Sequence, residues 1–115
     1  MMPLLPEVLG RRAEGEALVL EIRAAPELDF FAGHFPGQPV LPGVMQVHWA
    51  IHFARQEGWA RGAFQAIEQL KFNALIHPGQ VLQMRLAWDG TLLHFSLERG
   101  EERCASGRVR FGGAA

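Results

Sequence analysis

The fold of this chain is decided by residues 43–56, which read GVMQVHWAIHFARQ. Apolar side chains lie all around the axis of this segment rather than along one stripe, which predicts a helix buried on nearly all sides. Pro42 suits the first turn of such a helix, and Gly58 suits its end. A helix of this kind needs a sheet wrapped around it, so the rest of the chain is expected to supply strands.

The segments on both sides of the helix have the patterns of β-strands. Residues 17–23 alternate between apolar and polar side chains and end before Pro26, which predicts one strand ahead of the helix. Four more strands are predicted after the helix, at about residues 66–74, 80–88, 91–98 and 102–111. One helix followed by a run of strands indicates an α+β domain.

Two short turns indicate that the later strands are antiparallel. Asp89-Gly90 is the dipeptide favoured in two-residue hairpins, and Arg99-Gly100-Glu101 supplies a second turn. The predicted fold is therefore an antiparallel sheet wrapped around one long buried helix, with residues 1–115 forming a single domain.

Composition excludes several classes of function. The 115 residues are 49% hydrophobic and 20% charged, which is typical of a folded globular protein. The formal net charge of -1 offers no electrostatic case for binding nucleic acid. No apolar run reaches the roughly 18 residues that a membrane span needs, so no membrane association is expected.

Cysteine usage and the N-terminus both favour a cytoplasmic protein. Cys104 is the single cysteine, so neither an intrachain disulfide nor a cysteine-rich metal site is possible, and an inert core cysteine is expected. Residues 1–9 have no basic segment and are broken by prolines, which is unlike a secretory signal.

The loop before the helix carries the candidate chemistry. Residues 33–44 read GHFPGQPVLPGV, and the prolines and glycines of this stretch exclude a helix or strand. His34 is a candidate general base, because imidazole titrates near neutral pH and the stiff loop would hold it in place. Gly43 is a candidate oxyanion donor, because N–H groups at a helix start are unpaired and the helix dipole favours negative charge there.

This loop resembles, nearly residue for residue, the signature of the FabA/FabZ-type 3-hydroxyacyl-acyl carrier protein dehydratases, a family with the hotdog fold. The helix start LPGVMQVHWA is similar to that of a subgroup of dehydratases from aryl polyene and related pathways. The resemblance implies a hotdog domain that acts on acyl groups attached to the phosphopantetheine of an acyl carrier protein, with no cofactor of its own. It also implies a homodimer, or a heterodimer with another hotdog subunit.

The resemblance also implies roles for individual residues. His34 would be the base and Gly43 the oxyanion donor, as in the family. Residues expected to contact the substrate or shape its loop are Phe35, Pro36, Gly37, Val44 and His52, and the acyl chain would follow an apolar tunnel that includes Phe35, Val44, Val47 and Phe72.

One position departs from the family pattern. Where the dehydratases have a Glu or Asp, fourteen residues after the histidine, this chain has His48, and no carboxylate lies between Asp29 and Glu57. His48 either donates the proton that the carboxylic acid would supply, or belongs to a non-catalytic subunit that binds acyl thioesters or the carrier protein. A Zn²⁺ site with His52 and His34 is a third hypothesis, although the family uses no metal. A hotdog thioesterase is a further alternative, although the carboxylate that it needs is also missing.

Overall fold

The computed structural model describes residues 5–24 and 40–112 of the chain. These residues form six strands and one helix: β1 (Glu7–Glu14), β2 (Ala17–Arg23), α1 (Gly43–Gln56), β3 (Ala63–Phe72), β4 (Val81–Trp88), β5 (Leu92–Arg99) and β6 (Glu102–Gly112). The strands make one sheet in the order β1-β2-β4-β5-β6-β3, and every neighbouring pair is antiparallel. The predicted α+β architecture is confirmed.

The sheet buries one face against α1. Alternate residues of β2, β4, β5 and β6 point at the helix, and Trp49, Ala50 and Ala54 of α1 are fully buried among them. Burial of this apolar surface is the main favourable term for folding, at roughly 25 cal/mol per Å². The opposite face of the sheet carries most of the charged side chains of these strands.

The prediction that α1 is buried on nearly all sides is wrong for the isolated chain. Val44 is 74% exposed and His48 is also exposed, while Ile51 is half-buried. These residues share one side of the helix, at intervals of three and four positions. They stay open because the single sheet covers only the other side of α1.

The ends of α1 follow the predicted boundaries closely. Pro42 precedes the first turn rather than forming it, with φ −62° and ψ 143°, and its carbonyl accepts hydrogen bonds from the N–H groups of Met45 and Gln46. Gly58 adopts φ +82° just after the last turn, a conformation that suits glycine, and its N–H donates to Arg55 O.

Strand β1 has no counterpart among the predicted strands. All of its residues are exposed or half-buried, so its sequence lacks the alternation that marks a strand with one buried face. It is the edge of the sheet, and its pairing with β2 supplies the order that its own sequence does not indicate.

The turn between β4 and β5 is longer than predicted. Trp88 pairs with Leu93, so four residues form the connection rather than the two of an Asp-Gly hairpin. The Asp89 carboxylate accepts hydrogen bonds from the N–H groups of Leu92 at 2.7 Å and Thr91 at 2.9 Å, which lower the pKa of Asp89 below its usual value and hold the larger turn. The predicted short turn after Arg99 is confirmed, because Arg99 pairs with Glu102.

Strand β3 forms the other edge of the sheet and pairs only with β6. It begins at Ala63, three residues before the predicted start, and ends at Phe72 instead of residue 74. Its pairing register shifts twice, and Gln69 has a φ of +54°. Four large apolar side chains of this strand are between 38% and 52% exposed: Phe64, Ile67, Leu70 and Phe72. An exposed edge of this kind offers unpaired backbone groups and apolar side chains to the solvent.

In the described part of the chain, the longest apolar helical stretch falls short of what a membrane-spanning helix requires.

Candidate active site

The start of α1 and the end of β3 meet at Gly43. A Cβ atom placed on Gly43 would lie 2.7 Å from Cζ and 2.9 Å from Cε2 of Phe72, which is too close for real atoms. Glycine is therefore required here for the Phe72 ring to lie against the first turn of the helix. The N–H of Gly43 makes no hydrogen bond within residues 5–24 and 40–112, as expected of the first residue of a helix.

An open apolar groove of about 400 Å³ runs from Gly43 along the uncovered side of the helix. We call it the α1–β3 groove, and its lining consists of Gly43, Val44, Val47, His48 and Ile51 from α1, with Ile67, Leu70 and Phe72 from β3. The structure thus brings together Gly43, His48, Val44, Val47 and Phe72, which the sequence had nominated for the site. Among the described residues, His48 is the single ionisable side chain of this lining.

His48 occupies a position suited to proton transfer. Its side chain is exposed and makes no hydrogen bond or ion pair with the described residues. Both ring nitrogens are consequently available to a molecule in the α1–β3 groove. An imidazole can donate a proton when charged and accept one when neutral, at pH values near neutrality.

His52 has a different environment from His48, although it lies one helical turn away. Gln56 Nε2 lies 3.2 Å from His52 Nε2, and the His52 ring packs edge to face on Phe53 with ring centroids 5.1 Å apart. His52 is outside the groove lining. Its predicted contact with substrate stays a prediction.

Gln46 holds the backbone before Gly43, and the sequence analysis did not identify it. Its side chain is 4% exposed, and its Nε2 donates to Leu41 O at 3.3 Å. The N–H of Leu41 in turn donates to Ile76 O at 2.8 Å, so the backbone just before Gly43 is held from two directions. A polar residue three positions after Gly43 on the buried side of an apolar helix is the signal that points to this role.

The groove also contains apolar residues that the sequence analysis did not assign to the site. Ile51, Ile67 and Leu70 complete its wall. Simple alternation would place Ile67 and Leu70 on opposite faces of β3, and the register shift between Glu68 and Lys71 lets both side chains line the groove.

Several predicted site residues lie outside the described residues. His34, Phe35, Pro36 and Gly37 are among them, and their roles stay predictions. The described part of the chain contains no group of three His, Cys, Asp or Glu side chains that could hold a metal ion, and the zinc hypothesis needs His34 as its third ligand.

Cys104 is fully buried on β6, and burial raises the pKa of its thiol above the usual value. A neutral, buried thiol is a poor nucleophile, which accords with the expected core role.

Comparisons with known proteins identify relatives of this arrangement. The family model described as ApeI-like, ApeI dehydratase, matches residues 10–108. The 3-hydroxyacyl-[acyl-carrier-protein] dehydratase FabZ of Oenococcus oeni is 28% identical over an alignment of 105 residues, and the match covers 80% of this chain and 76% of that protein. The FabZ of Bacillus pumilus is 35% identical over an alignment of 80 residues, and the match covers 64% of this chain but only about half of that relative, 54%.

A solved structure supports the same relationship in three dimensions. The dehydratase heterocomplex ApeI:P from Xenorhabdus doucetiae includes a chain that is 32% identical and superimposes with a TM-score of 0.81, covering 91% of this chain and 96% of that one. The predicted hotdog fold and the resemblance to the FabA/FabZ type of dehydratase are confirmed.

Proposed function

Because this chain belongs to the ApeI-like family of hotdog dehydratases, we propose that it dehydrates 3-hydroxyacyl thioesters of an acyl carrier protein to trans-2-enoyl thioesters. The product would enter fatty acid or polyene biosynthesis in the cytoplasm. The observation that carries this proposal is the α1–β3 groove, in which an apolar wall leads to a helix N-terminus and to a histidine whose nitrogens have no partner among the described residues.

The first chemical step is removal of the α-proton of the thioester. The electron pair of the C–H bond moves toward the thioester carbonyl, whose oxygen gains negative charge. The Gly43 N–H is suited to stabilise that charge, because it makes no hydrogen bond with the described part of the chain and lies at the positive end of the helix dipole. His34 is the proposed base, on the strength of its place in the family motif.

The second step is departure of the β-hydroxyl. The C–O bond breaks as the α–β double bond forms, and the oxygen needs a proton to leave as water. Protonated His48 would donate that proton, since its ring is open to the groove and it is the one ionisable side chain that residues 5–24 and 40–112 contribute to the lining. Solvent then returns a proton to His48 and removes one from His34, so the enzyme is regenerated without a cofactor.

The shape of the groove supports an acyl substrate. Seven of its eight lining residues have apolar side chains or none, so an aliphatic or polyene chain would be favoured over a polar one. The thioester would lie at the Gly43 end. The phosphopantetheine arm, attached to the carrier protein, would reach the groove from outside.

A second hotdog subunit is the proposed cover for the open side of the groove. Val44 and the exposed apolar residues of β3 lie next to each other and would be buried by one partner. In the resembled family, the two catalytic groups of one site come from different subunits, so in a dimer His34 would act together with His48 of the partner subunit. The related ApeI:P assembly is a heterocomplex, so the partner of this chain is either a second copy or a related hotdog protein.

A second candidate function is that of a non-catalytic subunit that binds acyl thioesters or the carrier protein. The observation that favours it is the imidazole of His48 in the place of the family carboxylate. A thioesterase is less well supported, because the described residues that line the groove include no carboxylate to activate water.

The test is a dehydration assay on a carrier-bound 3-hydroxyacyl substrate. The purified chain would be assayed alone and mixed with a hotdog protein encoded beside it, and the enoyl product quantified by mass spectrometry. We expect turnover in at least one of the two preparations, and a loss of about a hundredfold or more in His34→Ala. No turnover in either preparation, with carrier protein still bound, would instead establish the binding subunit.

A further inference from the structure

The face of the sheet directed away from α1 contains a second groove, of about 330 Å³, that the dehydratase reaction does not use. We call it the outer-face groove. Its floor is formed by Ser96 and Ser106, which are directly paired across β5 and β6. Arg85 pairs with Ser96 on one side, and Lys71 pairs with Ser106 on the other. Directly paired residues point to the same face, so two hydroxyls lie between two cations.

Two more arginines line this groove. Arg108 lies two residues after Ser106 on β6, and Arg103 lies nearer the start of the same strand. The groove exists because the serine side chains of its floor are short, whereas the lysine and arginine side chains at its sides are long. Guanidinium groups bind phosphate oxygens through two parallel hydrogen bonds, and serine hydroxyls can add further donors.

Cations outnumber carboxylates around the outer-face groove. Three carboxylates contact the arginines of its lining: Glu14 contacts Arg85, Glu68 contacts Arg108, and Glu98 contacts Arg103. Together with Lys71, which makes no ion pair within the described residues, four cations of the lining face three carboxylates. The local net charge is therefore +1, whereas the whole chain has a formal net charge of -1.

Arg108 has unused hydrogen-bonding capacity. Its Nε is buried and has no hydrogen-bond partner in the described part of the chain. Its contact with Glu68 is 3.8 Å long, which is beyond hydrogen-bond distance, because the Glu68 carboxylate is hydrogen-bonded to Arg110 instead. A buried donor without an acceptor is costly unless a ligand or water supplies one.

We propose that the outer-face groove binds the phosphate group of an organic phosphate monoester. The arginines Arg85 and Arg108 would bind the phosphate oxygens, Lys71 would add a third positive charge, and the hydroxyls of Ser96 and Ser106 would donate hydrogen bonds from the floor. An extended acidic protein surface fits this groove less well, because the floor is a short row of two serines enclosed by side chains. The site lies on the opposite face of the sheet from α1 and is independent of the proposed dehydration.

The proposal is tested by NMR titration of the ¹⁵N-labelled full chain with glycerol 3-phosphate at constant ionic strength. We expect saturable shifts of the Ser96, Ser106 and Arg108 amides. The variants Arg108→Gln and Ser106→Ala are expected to weaken binding about tenfold and about threefold, because each removes donors to the phosphate. Arg61→Gln is the matched control: this exposed arginine donates to Gly58 O and lies outside the groove, so its affinity should be unchanged.

Three outcomes would overturn the proposal. The first is the absence of saturable shifts, and the second is an equal loss of affinity in Arg61→Gln, which would indicate diffuse attraction to positive charge. The third is tighter binding of poly-glutamate than of the monoester, with no response to Ser106→Ala, which would indicate an acidic protein partner. Inorganic phosphate, titrated in parallel, should bind more weakly if the ester's organic part also contacts the groove. Ser106→Ala keeps the test valid if Arg108→Gln fails to fold.

Discussion

The close approach of Phe72 to Gly43 makes Gly43→Ala the most informative single substitution. The new methyl group would lie 2.7 Å from Cζ of the Phe72 ring, so the ring, the first turn of α1 or both must move. Overpacking of this kind typically costs about 1–3 kcal/mol. We expect a cost near the lower end, about 1 kcal/mol, because Phe72 is 47% exposed and its ring has room to turn outward.

A double-mutant cycle isolates the contact from other effects of the substitutions. Phe72→Ala alone removes a half-buried ring and should destabilise the chain by about 1–2 kcal/mol, which is below the range of about 3–5 kcal/mol for a fully buried phenylalanine. In the Phe72→Ala background the clash is absent, so Gly43→Ala should then be nearly neutral. The expected coupling free energy between the two positions is about 1 kcal/mol.

The assay is urea denaturation monitored by circular dichroism for the unmodified chain, the two single variants and the double variant. All four are measured at the same protein concentration, because association would add to the apparent stability. A Gly43→Ala cost that is the same with and without the Phe72 ring would refute the steric argument. The cost of Gly43→Ala would then come from the backbone conformation at Gly43 alone.

Three further predictions concern the partner surface, the charged outer face and the loop before α1. Val44→Asp should prevent association in analytical ultracentrifugation, because it would bury a charge under the partner, while the separated chain keeps its folded circular dichroism spectrum. Val8→Asp at the opposite sheet edge should associate normally. Hydrogen bonds from Arg85 and, to a smaller extent, from Arg12 lower the pKa of Glu14 below its usual value of 4.5. The ionised carboxylate therefore stabilises the fold above pH 4.5, and this contribution is lost as the pH falls through the lowered pKa. The free energy of unfolding of Glu14→Gln, measured by urea titration, should consequently fall less between about pH 6 and pH 3 than that of the unmodified chain. Gln46→Met should change the free energy of unfolding by less than about 1 kcal/mol, because it removes a hydrogen bond to Leu41 O but also a buried oxygen that has no partner among the described residues. The substitution should nevertheless lower kcat, because the backbone before Gly43 is no longer held in place. An unchanged kcat would show that Gln46 does not position the site.

The sequence was sufficient to predict the elements that have strong local signals. The bounds of helix α1 were predicted correctly, because a proline and a glycine are residues that commonly begin and end helices and they stand here at positions 42 and 58. Strands β4 to β6 alternate clearly and are joined by turn residues. Strand β1 was not predicted, because a strand exposed on both faces has no alternating pattern and is ordered by its neighbour.

The candidate site was only partly predictable, for physical reasons that differ between residues. Gly43, Val44, Val47, His48 and Phe72 were nominated and lie together, because the motif and the apolar helix both point to this region. The exposure of the α1 side that carries Val44 was not foreseen. An apolar side chain that faces a partner subunit has the same sequence signal as one that faces the chain's own core. The contribution of β3 was underestimated because its bulges depend on pairing with β6.

The most direct test of the central claim is the rate of enoyl formation by His48→Ala, measured in whichever assembly is active and compared with that of the unmodified protein. The account predicts a fall of about a hundredfold or more, because the leaving hydroxyl loses its proton donor. His94→Ala, which removes an exposed histidine paired with Asp89 away from the α1–β3 groove, should keep its rate. A His48→Ala rate within a few-fold of the unmodified protein would contradict the claim that this imidazole replaces the family carboxylate.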